Sequence, residues 1–427
     1  MKRTKIIFFL VLVGVVLISL YLVPSTASAN IIGIPPPNFR HINVTDSNLR
    51  AQLFIPGLNF PTSMTFAGSD ILVVELQSGH IRHFTPLGME KPLALDLSKT
   101  AEFLWGIANT SNNFYVYDTE NTTNSTGVFT KNIIYRLIWD GKSLQNPTTV
   151  KILGGGRHNG GVFSVGINGT VYAVNGDAYG SNGVTQNENN GKFDDTSVIV
   201  TVNKPGNIII PSSSTNPLNQ YYAIGIRNSV GLAVDPVTGI LWDSEDGEPT
   251  DDELNLVYPN FNSGWDKIMG FATPQQLVTL PTINNFQYHD PAFDWQTTVA
   301  PHGMTFMNSQ TLSAYNDNLF VGGFKTGKLY SFKLNSTRTG FVFNNTSLND
   351  LKDNTGDNDR ELTFAQGFTG ITNLVQGPDG YLYVVDIANG AIYRIIPISK
   401  SPPDAIHSLN ATVASGNQVN LIMEYSS

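Results

Sequence analysis

One unit recurs along the chain, and it limits the fold more than any other feature. An apolar strand is followed by a turn, a glycine and a second strand. It reads "ILVVELQSGHIRHF" at 71–84, "FYVYDTENTTNSTGVFTKNIIYRLI" at 114–138 and "VYAVNGDA" at 171–178. It returns as "ILWDSEDGEPTDDELNLV" at 240–257, "LFVGGFKTGKLYSFKL" at 319–334 and "LYVVDIANGAIYRII" at 382–396. Short β-branched and aromatic runs closed by Gly, Asn, Asp and Pro are strands and turns, and no long helical period interrupts them between 40 and 400. About six four-stranded units with insertions of variable length predict an all-β, six-bladed β-propeller over residues 40–398. A pair of β-sandwiches would not repeat one unit so often. Residues 179–220 and 346–366 are polar and turn-rich and read as excursions over one face.

Both ends differ from this pattern. Residues 1–29 hold Lys2, Arg3 and Lys5, an apolar run at 6–23, and small residues ending Ala27-Ser28-Ala29. That is the layout of a secretory signal, and the run is also long enough for a retained membrane anchor. In both cases the rest of the chain is expected to be secreted or extracytoplasmic. Residues 399–427 follow Pro402-Pro403 with two alternating runs, a tail that reads as the start of a fibronectin type III-like module.

Charge narrows the partners. The net charge of −9 supplies no basic face for a phosphate backbone, which argues against nucleic acid. With no cysteine in the chain, any metal must be held by oxygen or imidazole.

Four clusters could carry chemistry. Arg227-Asn228 sits within apolar sequence, where an unneutralised guanidinium needs an anion or carbonyl dipoles. His158 lies in "GGGRHNGG" at 154–161, where glycines leave room beside a ring suited to proton abstraction. Asp246, Glu248, Asp251, Asp252 and Glu253 crowd one turn, which reads either as a calcium region or as a solvated acidic loop. Lys325 ends a strand beside two glycines.

Taken together, "IGIRNSVGLAVDPVTGILWDSEDGEPTDDELNLVYPNFNSGW", "FPTSMTF", "HNGGVFSVGINGTVYAVNGD", "TTVAPHGMTF" and "LFVGGFKTGKLYSF" resemble, in order, blocks of the glucose/sorbosone dehydrogenase family. The resemblance covers roughly residues 50–397. It implies a secreted quinoprotein that oxidises an aldose sugar or related alcohol at the C1 hydroxyl, using pyrroloquinoline quinone (PQQ) and Ca2+, with an external electron acceptor. By the same resemblance His158 is the base and Arg227 the cation that stabilises charge on the reduced quinone. Asn228, Thr298 and Lys325 are expected to contact the cofactor. The carbonyls of Gly247 and Glu248 are expected to hold calcium, and Asp252 and Glu253 a second calcium region.

The sequence departs from the family at several places. Two arginines that bind cofactor carboxylates are replaced by Gly370 and Thr372. Arg157 stands where an acid precedes the base, and could compensate for them from another blade. Gln296 stands where the family has an aromatic. Two other functions are compatible with the same fold: a non-catalytic propeller that binds glycan or protein, and a calcium-dependent lactone hydrolase.

Overall fold

The computed structural model describes residues 41–124, 127–178, 183–189, 191–206, 208–210, 217–398, 406–415 and 418–425. The signal or anchor expected at 1–29 lies outside them. Among the described residues no helix is long and apolar enough to cross a membrane.

The strands form six blades of four. The first is Pro61–Ala67, Asp70–Glu75, His80–Phe84 and Glu90–Asp96, and the second Phe103–Thr110, Asn113–Asn124, Gly127–Trp139 and Leu144–Gly154. The third is Phe163–Val165, Val171–Asn175, Val198–Thr201 and Tyr221–Ile224; the fourth is Ser229–Val234, Leu241–Glu245, Asp252–Val257 and Phe293–Trp295. The fifth is Pro301–Phe306, Asn318–Gly323, Lys328–Lys333 and Thr363–Gln366. The sixth joins Ile371–Gln376, Leu382–Asp386 and Ala391–Pro397 to the early strand Leu49–Ile55, which pairs antiparallel with Ala391–Pro397. This last pairing closes the ring with backbone hydrogen bonds and covers an edge that would otherwise be open. The first strand of each blade is innermost and touches the innermost strand of the next, the sixth touching the first. All six line one channel of about 370 Å³.

The second strands explain why the repeat reads as runs and not as alternation. Ile71–Glu75, Leu241–Glu245 and Leu382–Asp386 are buried at every position, because a neighbouring blade covers each face. Between the fourth and fifth blades the packing is aromatic: Phe293 meets Trp295 edge-on at 5.1 Å and Phe332 at 5.0 Å.

A second repeat is visible only in three dimensions. Five inner strands carry a register shift at their start, at Pro61/Ser63, Leu104/Gly106, Ser229/Gly231, His302/Met304 and Ile371/Asn373. Opposite the first residue of each stand Glu75, Asp118, Glu245, Gly322 and Asp386. The four acids are buried. Three of them accept the N–H of the residue two places before the shift: Asn59 on Glu75 at 2.8 Å, Arg227 on Glu245 at 2.5 Å and Thr369 on Asp386 at 3.0 Å. A buried acid therefore holds the loop that leads into each of these inner strands.

The polar stretches at 179–220 and 346–366 are less of an excursion than their composition suggests. Val198–Thr201 within the first is the third strand of its blade, and Thr363–Gln366 within the second is an outer strand. In the tail, Ile406–Ser415 pairs antiparallel with Gln418–Tyr425.

Candidate active site

Blade topology collects the candidate residues at one end of the ring. His158, Arg227-Asn228 and Thr298 lie just before the inner strands Phe163–Val165, Ser229–Val234 and Pro301–Phe306. Asp177, Asp246-Gly247-Glu248 and Lys325 lie just after the second strands of the same blades. In an antiparallel hairpin the start of one strand and the end of the next are at the same end, so six distant sequence positions converge.

His158 is buried in its glycine loop. Gly161 has φ +90°, and a Cβ there would lie 2.3 Å from Trp105 Cβ, so glycine is required for the loop to reach this depth. The imidazole Nδ1 is 2.7 Å from Asp177 Oδ1, and the Trp265 indole Nε1 donates to Asp177 Oδ2 at 2.9 Å. Asp177 N donates to the Arg227 carbonyl at 2.8 Å, tying the two clusters together. A carboxylate on Nδ1 selects the tautomer with its proton there and leaves Nε2 as the acceptor.

Arg227 is 5% exposed. Its Nη1 donates to the carbonyls of Asp246 at 2.6 Å and Gly247 at 3.0 Å, and Nη2 pairs with the Glu248 carboxylate. The guanidinium lies 5.3 Å over the Trp265 ring. Asn228 Nδ2 donates to Asp246 Oδ2 at 2.9 Å, and His302 Nε2 lies 3.1 Å from the same oxygen. Arg227 Nε, Asp246 Oδ1 and His302 Nδ1 are buried with no hydrogen-bond partner among the described residues. Buried polar atoms left unpaired in this way mark a site built for a further polar group.

The other candidates divide. Lys325 Nζ donates to Thr298 Oγ1 at 2.8 Å on the exposed rim, and Arg157 is on the His158 loop. Asp252 is buried: it accepts N–H groups from Gly247 at 2.7 Å, Val299 at 2.6 Å and Ala300 at 2.7 Å, joining the fourth blade to the lead-in of the fifth. Burial raises its carboxyl to about 7, the charge of Asp246 adds to this, and the three N–H donors oppose it. Glu253 is also buried, accepting from Gly270 N and from Asn255 Nδ2 at 3.0 Å. Burial pushes its carboxyl well up, with Glu245 directly across the strand pair. These two acids hold backbone in place. Among the described residues, no group of three or more acidic or histidine side chains is arranged to hold a metal. The oxygens that do converge on one cationic group are the carbonyls of Asp246 and Gly247 and the Glu248 carboxylate, and that group is the Arg227 guanidinium.

The wall at 370–372 carries no cation. A Cβ on Gly370 would meet Ile387 and Phe324, and Thr372 Oγ1 donates to the Pro61 carbonyl at 3.1 Å. Sequence reasoning missed Asp177, His302 and Trp265. Asp177 had a signal: it follows "VYAVNG" as Asp246 follows "ILWDSE" in the next repeat.

The family model for glucose/sorbosone dehydrogenases matches residues 58–394. This chain belongs to the glucose/sorbosone dehydrogenase family. It is 27% identical over 185 residues to an aldose sugar dehydrogenase of Escherichia coli, a match covering 42% of this chain and 44% of that protein. The matched stretch is thus less than half of the curated relative. Among solved structures, the PQQ-bound aldose sugar dehydrogenase of Streptomyces coelicolor superposes with a TM-score of 0.59 at 20% identity, covering 85% of this chain and 99% of that one. The apo-form aldose sugar dehydrogenase of E. coli gives 0.60 at 19% identity, covering 82% and 100%. At these identities the superpositions establish a shared fold. In this chain the 370–372 wall is uncharged and the Glu248 carboxylate is set against Arg227.

Proposed function

We propose that this chain is an extracytoplasmic oxidoreductase that converts an aldose sugar, or a related alcohol, to the corresponding carbonyl or lactone at C1. The observation that carries this reading is the buried His158–Asp177 pair at 2.7 Å, joined through Asp177 N to the Arg227 carbonyl at the same end of the ring. His158 Nε2 takes the proton from the C1 hydroxyl, and the Asp177 carboxylate stabilises the imidazolium that forms. Arg227 and Asn228 offer N–H groups to negative charge that develops beside them. Lys325 and Thr298 bound the rim, and Arg157 supplies a cation from the His158 loop.

PQQ suits this site in its donor set. The unpaired Arg227 Nε offers a donor to an acceptor oxygen, and His302 Nδ1, left an acceptor by the Asp246 carboxylate on Nε2, would take a donor. When bound, the quinone accepts the hydride that leaves C1, and an external acceptor re-oxidises it. The resemblance gives calcium to the carbonyls of Gly247 and Glu248; here the Gly247 carbonyl and the Glu248 carboxylate face the Arg227 guanidinium, so calcium would be held there only in place of that cation. The test is to load purified protein with CaCl2 and PQQ, desalt it, and follow dye reduction with a panel of sugars. Dye reduction by an aldose, lost in His158→Ala, is the expected result. The absence of both retained cofactor absorbance and turnover would remove the redox reading.

A second reading, a propeller that binds glycan without oxidising it, draws on the wall at Gly370 and Thr372, which offers no cation to a tricarboxylate. Saturable sugar binding by calorimetry with no dye reduction at any PQQ concentration would favour it.

A further inference from the structure

We propose that Trp265 is a positioning residue that fixes both halves of the site, holding Asp177 through its indole N–H and Arg227 on its ring face. The proposal rests on the reading of His158 as the base. Asp177 is 3% exposed, and both of its oxygens are engaged: Oδ1 meets His158 Nδ1 at 2.7 Å and Oδ2 accepts from Trp265 Nε1 at 2.9 Å. With both oxygens engaged, the carboxylate cannot turn about its Cβ–Cγ bond without losing a hydrogen bond in a site with little access to water. The plane of the carboxylate sets the direction of the imidazole, and so where Nε2 points. The same indole lies 5.3 Å beneath the Arg227 guanidinium, which restricts how that cation can tilt.

The tryptophan is itself held at its backbone. Its N–H donates to the Gly225 carbonyl at 3.1 Å, and its carbonyl accepts from Asn187 Nδ2 at 2.7 Å. Gln186, next in the chain to Asn187, donates from Nε2 to the Asp177 carbonyl at 3.2 Å and accepts Asp266 N at 3.0 Å. Asp177 and Trp265 are 88 residues apart, yet the 186–187 segment binds both. The geometry therefore assigns Trp265 to the support of the base.

Trp265→Phe keeps an aromatic ring in place of the indole and removes the N–H donor together with part of the ring. The first readout is nitrogen-edited NMR of the protein without added cofactor, following the His158 Nδ1–H signal. We expect its exchange with solvent to accelerate about tenfold or more in the variant, because the carboxylate that shields it is freed to turn. The second readout is kinetic: kcat falls about tenfold to hundredfold while KM for the sugar holds, the loss expected when a reacting group is misplaced by a fraction of its working distance. An Nδ1–H signal that exchanges as in the parent overturns the proposal. If the parent itself shows no dye reduction but the exchange accelerates, the positioning role stands and the redox reading falls. If Trp265→Phe does not fold, Asp177→Ala gives the reciprocal test: the Trp265 indole N–H loses its slow exchange, and an unchanged indole signal overturns the proposal.

Discussion

Asp118 offers a sharp test of the buried-acid repeat. Its counterparts Glu75, Glu245 and Asp386 each receive the N–H of the residue two places before the inner-strand shift. In the second blade that residue is Glu102, and its N–H goes to the Thr119 carbonyl at 2.9 Å. Asp118 is fully buried, and neither side-chain oxygen has a hydrogen bond among the described residues. Burial raises its carboxyl from the usual 3.8 to about 8, with Glu120 adding to the shift and the Thr119 backbone N–H and Lys131 opposing it. The folded chain thus holds a proton that the unfolded chain releases above about pH 4. Stability on this account is full below the unfolded value and is lost as pH rises towards about 8. A shift of this size corresponds to at most roughly 6 kcal/mol, and relaxation of the site or admission of water reduces it to about 3 kcal/mol. Asp118→Asn keeps the shape and cannot ionise. Urea unfolding at pH 8.5 should find the variant more stable than the parent by about 3 kcal/mol, and at pH 4.5 the two should agree within about 1 kcal/mol. An equal gap at both pH values, or a variant that is weaker at pH 8.5, would refute the reasoning.

Three further outcomes follow from other parts of the structure. His158→Ala should lower turnover by at least about 10²-fold, the usual contribution of a positioned base, with an unchanged circular dichroism melt showing that the fold survives. Arg338 closes on the fully buried Asp235 through Nε and Nη2, both at 2.8 Å, so Arg338→Ala strands that carboxylate and should cost about 3–5 kcal/mol in denaturant unfolding at pH 7. Gly161→Ala places a methyl 2.3 Å from Trp105 Cβ at φ +90°, and should both lower the melting temperature and reduce turnover, because the loop that carries His158 must move.

Much of the architecture was legible because a blade is a local object. The runs "ILVV", "LYVV" and "LFVGG" are second strands, and their unbroken apolar character reports burial on both faces before any coordinate is known. The same local signal placed His158 in a glycine loop ahead of a strand, whereas Arg227-Asn228 read as lying within apolar sequence and the structure sets it just before Ser229–Val234. The strand Val198–Thr201 was hidden because the polar loops on either side of it dominate the composition of 179–220.

What the amino-acid order determines alone is therefore the repeat, its strand and turn grammar, and the residue types delivered to each blade end. Ring closure was decided elsewhere: Leu49–Ile55 joins a sheet more than 300 positions away, and only radial packing of six sheets brings it there. The pairing of His158 with Asp177 within one blade, and of Asp177 with Trp265 from 88 residues further on, depends on which loop ends meet at one end of the ring. The fate of the five clustered carboxylates was decided the same way. Strand alternation sends Asp252 and Glu253 to opposite faces, both covered, where each meets backbone N–H groups, while the turn leaves Glu248 free to meet Arg227. Periodicity specifies faces, but partners across faces are set by how blades pack, and that is a property of the closed ring.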